Sequence, residues 1–129
     1  SCVITIATDA PLSARQLQRL ARRATLGLAK TGAISENGSG DLAIAFSTTN
    51  LTPRDPMGSL PTKQLVPDFQ ENVINSLFQA TIESVEESIL NSIFRAETMV
   101  GKDNNILYGL PLKEVGNIMQ RYGYSDVSF

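Results

Sequence analysis

Histidine is absent from the 129-residue sequence. That absence excludes a Ser-His-Asp triad, a Cys-His pair and any histidine-bearing zinc site built from this chain alone. A hydrolytic centre here must take its base from an amine, a carboxylate or a lysine, or from another chain. The single cysteine, Cys2, excludes an internal disulfide and, with apolar neighbours on a strand, reads as a small buried side chain. No apolar run approaches the ~20 residues that a membrane-spanning helix needs. Repeats and low-complexity segments are missing too. A net charge of −2 and a pI near 5.0 argue against nucleic acid or an anionic membrane as a partner.

What is present is the composition of one ordinary globular domain, 42% hydrophobic and 19% charged,. The first residue, Ser1, carries a hydroxyl and an α-amine together. That pair is the minimum kit of an N-terminal nucleophile, in which the amine acts as base for its own side chain. An α-amine suits the task, since such groups ordinarily titrate at roughly 7.7–8.0. A leading serine alone carries no more weight than a trimmed chain end. The missing histidine is what raises its value.

The segment from Ser1 to Thr8 is β-branched and apolar on both faces, which predicts a strand ended by Asp9-Ala10-Pro11. A helix is expected from Ser13 to about Lys30, with Leu17, Leu20, Ala21, Ala24 and Leu28 as its apolar stripe, Ser13 as N-cap and Gly32 as its stop. Its other side carries Arg15, Arg19, Arg22 and Arg23, expected to form a solvated or ion-paired face. A turn-rich stretch, Ser35 to Asp41, leads into a second doubly apolar strand, Leu42–Ser47, expected inside a layered structure. Asn50 to Pro67 is a proline-bearing loop. Asp68-Phe69-Gln70-Glu71 resembles a capping box opening a long helix. Its stripe, Ile74, Phe78, Ile82, Val85, Ile89, Ile93, Ala96 and Val100, runs to Gly101. Glu83, Glu86 and Glu87 read as its solvated side, not as a metal cluster. After a polar turn over Lys102 to Asn105, a last helix is expected from Pro111 to Tyr122, closed by Gly123.

Two strands and three helices do not make a complete layered domain. Both strand faces are apolar, and a two-stranded sheet is marginal by itself. The sequence therefore predicts that residues 1–129 are one chain contributing to a shared domain, with further strands supplied by an obligate partner chain.

Several ordered segments resemble one enzyme family. They are Ser1 to Leu12, Arg19 to Ala24, Gly27 to Gly32, Gly38-Ser39-Gly40-Asp41 with Ala45-Phe46-Ser47-Thr48, and Ile89 to Gly101. The family is the self-processing L-aminopeptidase/D-esterases and β-peptidyl aminopeptidases, and the sequence is similar to its small, nucleophile-bearing chain. The resemblance implies an α/β fold, an αββα sandwich similar to the N-terminal-nucleophile hydrolases. It also implies a precursor that cuts itself before Ser1 into a large and a small chain, which then assemble as an oligomer of large–small pairs. The implied activity is cleavage of N-terminal aminoacyl amide or ester bonds through an acyl-enzyme on Ser1, with no metal or cofactor.

In relatives, a serine and an acidic residue of the Gly-Ser-Gly-acid turn lie beside the nucleophile; these map onto Ser39 and Asp41. Where a relative has Glu, Asp41 is one methylene shorter, so its contact with the amine is less direct. The oxyanion hole implied by the resemblance takes an asparagine of the large chain. Without the resemblance, Gly38-Ser39-Gly40-Asp41 reads simply as tight-turn chemistry. Two other functions remain open at this level. One is acyl transfer to an amine, as in the ornithine acetyltransferases, which use threonine. The other is a non-catalytic structural subunit. The expected substrate is a small peptide, amide or ester; its acyl part and the compartment stay undetermined.

Overall fold

The computed structural model describes residues 1–49 and 71–124. The loop expected over Asn50 to Pro67 and the capping residues Asp68 to Glu71 lie outside the described side chains. The chain divides into two compact units, Ser1–Glu86 and Glu87–Phe129.

In the first unit, β1 (Val3–Thr8) and β2 (Leu42–Ser47) pair in parallel, with Val3 opposite Leu42 and Thr8 opposite Ser47. Both strands fall where their apolar, β-branched runs put them. Alternation then separates two faces. Ile6 and Ala45, paired in the ladder, pack on a core of Leu12, Leu20, Ile74 and Phe78. The opposite face presents Val3, Leu42, Ile44 and Phe46, which remain 75%, 66%, 61% and 45% exposed. The doubly apolar strands are thus covered on one side only within this chain.

The helix expected over Ser13–Lys30 is two helices, α1 (Ala14–Ala21) and α2 (Ala24–Lys30). Ser13 caps α1 in a full capping box: its Oγ accepts from the Gln16 amide at 3.4 Å, and Gln16 Oε1 accepts from the Ser13 amide at 2.9 Å,. The break at Arg22-Arg23 is a tightened turn, in which the Arg23 amide donates to the Leu20 carbonyl at 2.8 Å. The Arg23 guanidinium folds back onto the Arg19 carbonyl at 3.1 Å. Carbonyls that a continuous helix would satisfy are therefore met locally. Gly32, with φ 95°, ends the segment as expected.

The arginine face also differs from a purely solvated one. Arg15 and Arg22 are exposed, but Arg19 and Arg23 lie over the Phe78 ring, 5.1 and 3.9 Å from its centroid. Such stacking keeps two charges partly covered without desolvating them unpaired. Lys30 bonds Glu86, so that glutamate is an ion-pair partner.

The long helix α3 (Glu71–Arg95) buries Ile74, Phe78 and Val85 from its expected stripe. α2 approaches it so closely that a Cβ on Gly27 would lie 2.6 Å from the Ile82 carbonyl oxygen and 2.7 Å from Val85 Cβ. α3 ends at Arg95 rather than continuing to Gly101. In the second unit the chain turns extended at Ala96, and β3 (Met99–Val100) pairs antiparallel with β4 (Ile106–Leu107). Thr98 Oγ1 accepts the Gly109 amide at 3.1 Å, which ties down the strand side of this hairpin. The expected polar turn is a tight one over Lys102–Asn104, with Asp103 and Asn104 in left-handed conformations (φ 58° and 59°). Short polar side chains tolerate that region best. α4 (Leu112–Arg121) closes at Gly123, φ 90°, as the sequence predicts. No described residue from 87 to 124 is buried.

Candidate active site

The start of β1 and the turn before β2 meet because the two strands are parallel neighbours in register. The N-terminal ends of both strands therefore lie side by side, and a residue just before one faces residues just before the other. Cys2 and Leu42 continue the ladder outward: the Leu42 amide donates to the Cys2 carbonyl at 2.9 Å. This brings Ser1 against the Gly38–Asp41 turn, although Ser1 and Gly40 lie 39 positions apart in the chain.

Four contacts define the geometry. The Gly40 amide donates to Ser1 Oγ at 2.9 Å. Ser39 Oγ donates to Asp41 Oδ1 at 3.0 Å. The Cys2 amide donates to the same carboxylate oxygen at 2.9 Å. The turn itself is closed by the Ser39 amide on the Glu36 carbonyl at 2.7 Å. Ser1, Ser39 and Asp41, the three residues singled out from sequence, thus share one small region. They line an open cavity of about 600 Å³ together with Cys2, Leu28, Ile34 and Ser35.

The Ser39 hydroxyl beside Asp41 holds its carboxyl below the ordinary carboxylate value, and the Ser35 hydroxyl acts in the same direction. Partial burial opposes them; the Cys2 amide and, least, the charge of the Ser1 amine add to the lowering. Of the two hydroxyls, Ser39's has ordinary hydrogen-bond geometry at 3.0 Å. Asp41 is accordingly an anion throughout the neutral range.

Ser35 is the residue that sequence reasoning passed over. Its backbone is left-handed, φ 49°, a conformation that costs a residue with a Cβ roughly 1–2 kcal/mol. Its hydroxyl acts on the Asp41 carboxyl in the same direction as that of Ser39. Nothing in Ser35-Glu36-Asn37-Gly38 announces that, since the neighbouring asparagine and glycine are the usual occupants of such a position. Cys2 is another: its contribution is a backbone N–H, invisible in the residue's identity. Among the described residues no cluster of histidine, cysteine, aspartate or glutamate could hold a metal ion. Nor is any described helix long and apolar enough to cross a membrane.

Comparison with known proteins places this geometry in context. A family model described as peptidase family S58 matches residues 1–107. A β-peptidyl aminopeptidase of Sphingosinicella xenopeptidilytica is 38% identical over 120 residues, covering 93% of this chain and 29% of the relative. Its counterpart in Sphingosinicella microcystinivorans is 34% identical, covering 95% and 30%. Among solved structures, a Pyrococcus horikoshii protein matches with TM-score 0.82 and 49% identity over 93% of this chain and 33% of its own. The L-aminopeptidase D-Ala-esterase/amidase of Ochrobactrum anthropi, described as a variant of the N-terminal-nucleophile hydrolase fold, matches with TM-score 0.81 and 33% identity, over 95% of this chain and 34% of its own. The chain thus shares the α/β fold of these aminopeptidases and spans about a third or less of the length of the proteins it matches.

Proposed function

The chain belongs to peptidase family S58, and from that premise we propose that it is the nucleophile-bearing part of an aminopeptidase or amidase that releases N-terminal aminoacyl groups from amides or esters. Ser1 is the nucleophile. The single observation that carries the reading is the Ser1 hydroxyl at a cavity wall, accepting the Gly40 amide, next to the Ser39–Asp41 pair.

The chemistry follows from those parts. Ser1 Oγ attacks the substrate carbonyl carbon while the proton of its hydroxyl passes to the α-amine of the same residue. The tetrahedral intermediate collapses by expelling the leaving amine or alcohol, which takes that proton, and Ser1 is left as an acyl ester. Water then attacks the ester, its proton passing to the amine and on to Oγ, and the free acid departs. During both steps the amine is transiently an ammonium. Ser39 donates its hydroxyl hydrogen to Asp41, so its oxygen lone pairs stay free to accept from that ammonium. Asp41 fixes the direction of the Ser39 hydroxyl and supplies the opposing charge.

The same reading assigns the rest of the longer protein two tasks. It supplies a second sheet over Val3, Leu42, Ile44 and Phe46, completing the αββα sandwich, and it covers the apolar hairpin residues Met99, Val100, Leu107 and Tyr108. The two parts arise from one precursor by cleavage before Ser1. Water as acceptor is favoured over an amine, because the relatives carry peptidase names and a serine stands at the nucleophile position.

Substitution of the nucleophile tests the proposal. Ser1→Ala in the full-length protein is expected to abolish both self-cleavage and turnover of aminoacyl p-nitroanilides. A variant that is cut normally and turns over at the parental rate overturns it.

A further inference from the structure

Gly40 is a glycine for which the backbone gives no reason. Its φ lies outside the left-handed region, where glycine alone is comfortable. Packing does not demand it either. Among the described residues, a Cβ built on Gly40 would meet a single atom within 4 Å, Ser1 Oγ at 3.8 Å. By contrast, a Cβ on Gly27 collides with a helix backbone at 2.6 Å, and one on Gly38, two residues earlier in the same turn, meets no described atom within 4 Å. Among the described residues, a side chain at position 40 would thus come into ordinary contact with one group, the hydroxyl that the proposed reaction uses. The same residue's N–H holds that hydroxyl at 2.9 Å.

We propose that Gly40 is the positioning and steric residue of the Ser1 nucleophile: its N–H fixes the Oγ rotamer, and its bare Cα keeps open the space that an incoming acyl substituent occupies. The inference rests on Ser1 being the nucleophile and deepens that reading. A hydroxyl with one lone pair engaged by a fixed donor has fewer rotamers to lose on attack. The N–H also stays on Oγ once it becomes the ester oxygen, where it stabilises the alkoxide leaving group as water displaces it. A methyl at 3.8 Å from Oγ would contact the nucleophile without displacing it. It would instead occupy the volume through which the groups on the attacked carbon must pass. Its effect should scale with the bulk of the acyl group.

The test uses the protein made from its full-length gene and reads acylation of Ser1 by intact mass. Rates are measured with p-nitrophenyl acetate and p-nitrophenyl pivalate, which share a leaving group and differ in acyl bulk. For Gly40→Ala, the pivalate rate is expected to fall by roughly tenfold or more relative to the acetate rate, the scale on which a pocket resolves small changes in apolar bulk. Thermal unfolding should be unchanged. Equal losses with both esters, no loss with either, or an unfolded Gly40→Ala each overturn the proposal. If parental Ser1 takes up neither acyl group, it is the assignment of the nucleophile that has failed instead.

Discussion

In the proposed mechanism the carboxylate of Asp41 is the charged group on which the site turns, and its partners favour its ionised form. Its pKa in the folded chain is lowered, chiefly by the Ser39 hydroxyl. The stabilisation that this confers is fully present above the ordinary carboxylate value of 3.8 and is lost as pH falls through the lower folded value,. Asp41 therefore adds no titration to a rate profile between pH 5 and 8, and any limb there belongs to another group. Asp41→Asn is expected to lower kcat by roughly 100-fold or more at every pH in that range, in line with the general acid–base contributions of positioned side chains. A limb that disappears in the asparagine variant would mean that Asp41 itself titrates there. Ser39→Ala should cost a comparable factor, because the proposed mechanism has the Ser39 hydroxyl oxygen accept from the Ser1 ammonium, and that oxygen is lost. Near-parental rates for Ser39→Ala would return Gly38–Asp41 to the status of a turn.

At the scale of elements, α2 and α3 approach each other closely at Gly27. Gly27 sits where a Cβ would fall 2.6 Å from the Ile82 carbonyl oxygen, and backbone yields less readily than a side-chain end. Gly27→Ala is expected to destabilise the fold by about 1–3 kcal/mol, the usual cost of overpacking, readable as a lower midpoint in urea. An unchanged midpoint would show that the two helices separate freely. This crossing was not legible in the sequence, where Gly27 is one of two glycines, with Gly32, near a helix end. The strands were legible because a run such as Leu42-Ala43-Ile44-Ala45-Phe46 is apolar at every position. The Ser13 cap was legible because capping is local. The break at Arg22-Arg23 was not, since arginine is a good helix former and the Phe78 ring that draws Arg23 down lies 55 positions away in the chain. The end of α3 was overrun for a similar reason: Ala96 and Val100 fall in phase with the helical stripe, while the hairpin that claims Met99 and Val100 is set by pairing with Ile106 and Leu107. In the site, side-chain chemistry was legible and backbone chemistry was not. The Gly40 and Cys2 amides and the left-handed Ser35 become visible only in three dimensions.

For the molecule as a whole, the imbalance of its surfaces decides how it exists. One face of a two-stranded sheet and the whole hairpin of the second unit leave large apolar side chains in water, among them Val3 at 75%, Leu107 at 77% and Tyr108 at 80% exposure. Exposed apolar side chains clustered on one sheet face, as in the first unit, are the kind of surface that marks an interaction site. Ile44→Asp would place a charge on the exposed sheet face without touching Leu12, Leu20, Ile74 or Phe78. It is expected to reduce the amount of the large part that copurifies with this chain to a small fraction of the parental yield. Undiminished copurification and activity would mean that this face is not where the rest of the protein sits.

The central claim is that Ser1 bears a free amine and takes the acyl group. The most direct measurement is an intact-mass spectrum of the protein expressed from its full-length gene, recorded before and after a short exposure to an activated acyl ester. Two chains, with the added acyl mass on the one beginning at Ser1 and absent in Ser1→Ala, are the predicted result. A single uncut chain, or acylation that persists in Ser1→Ala, would contradict the account.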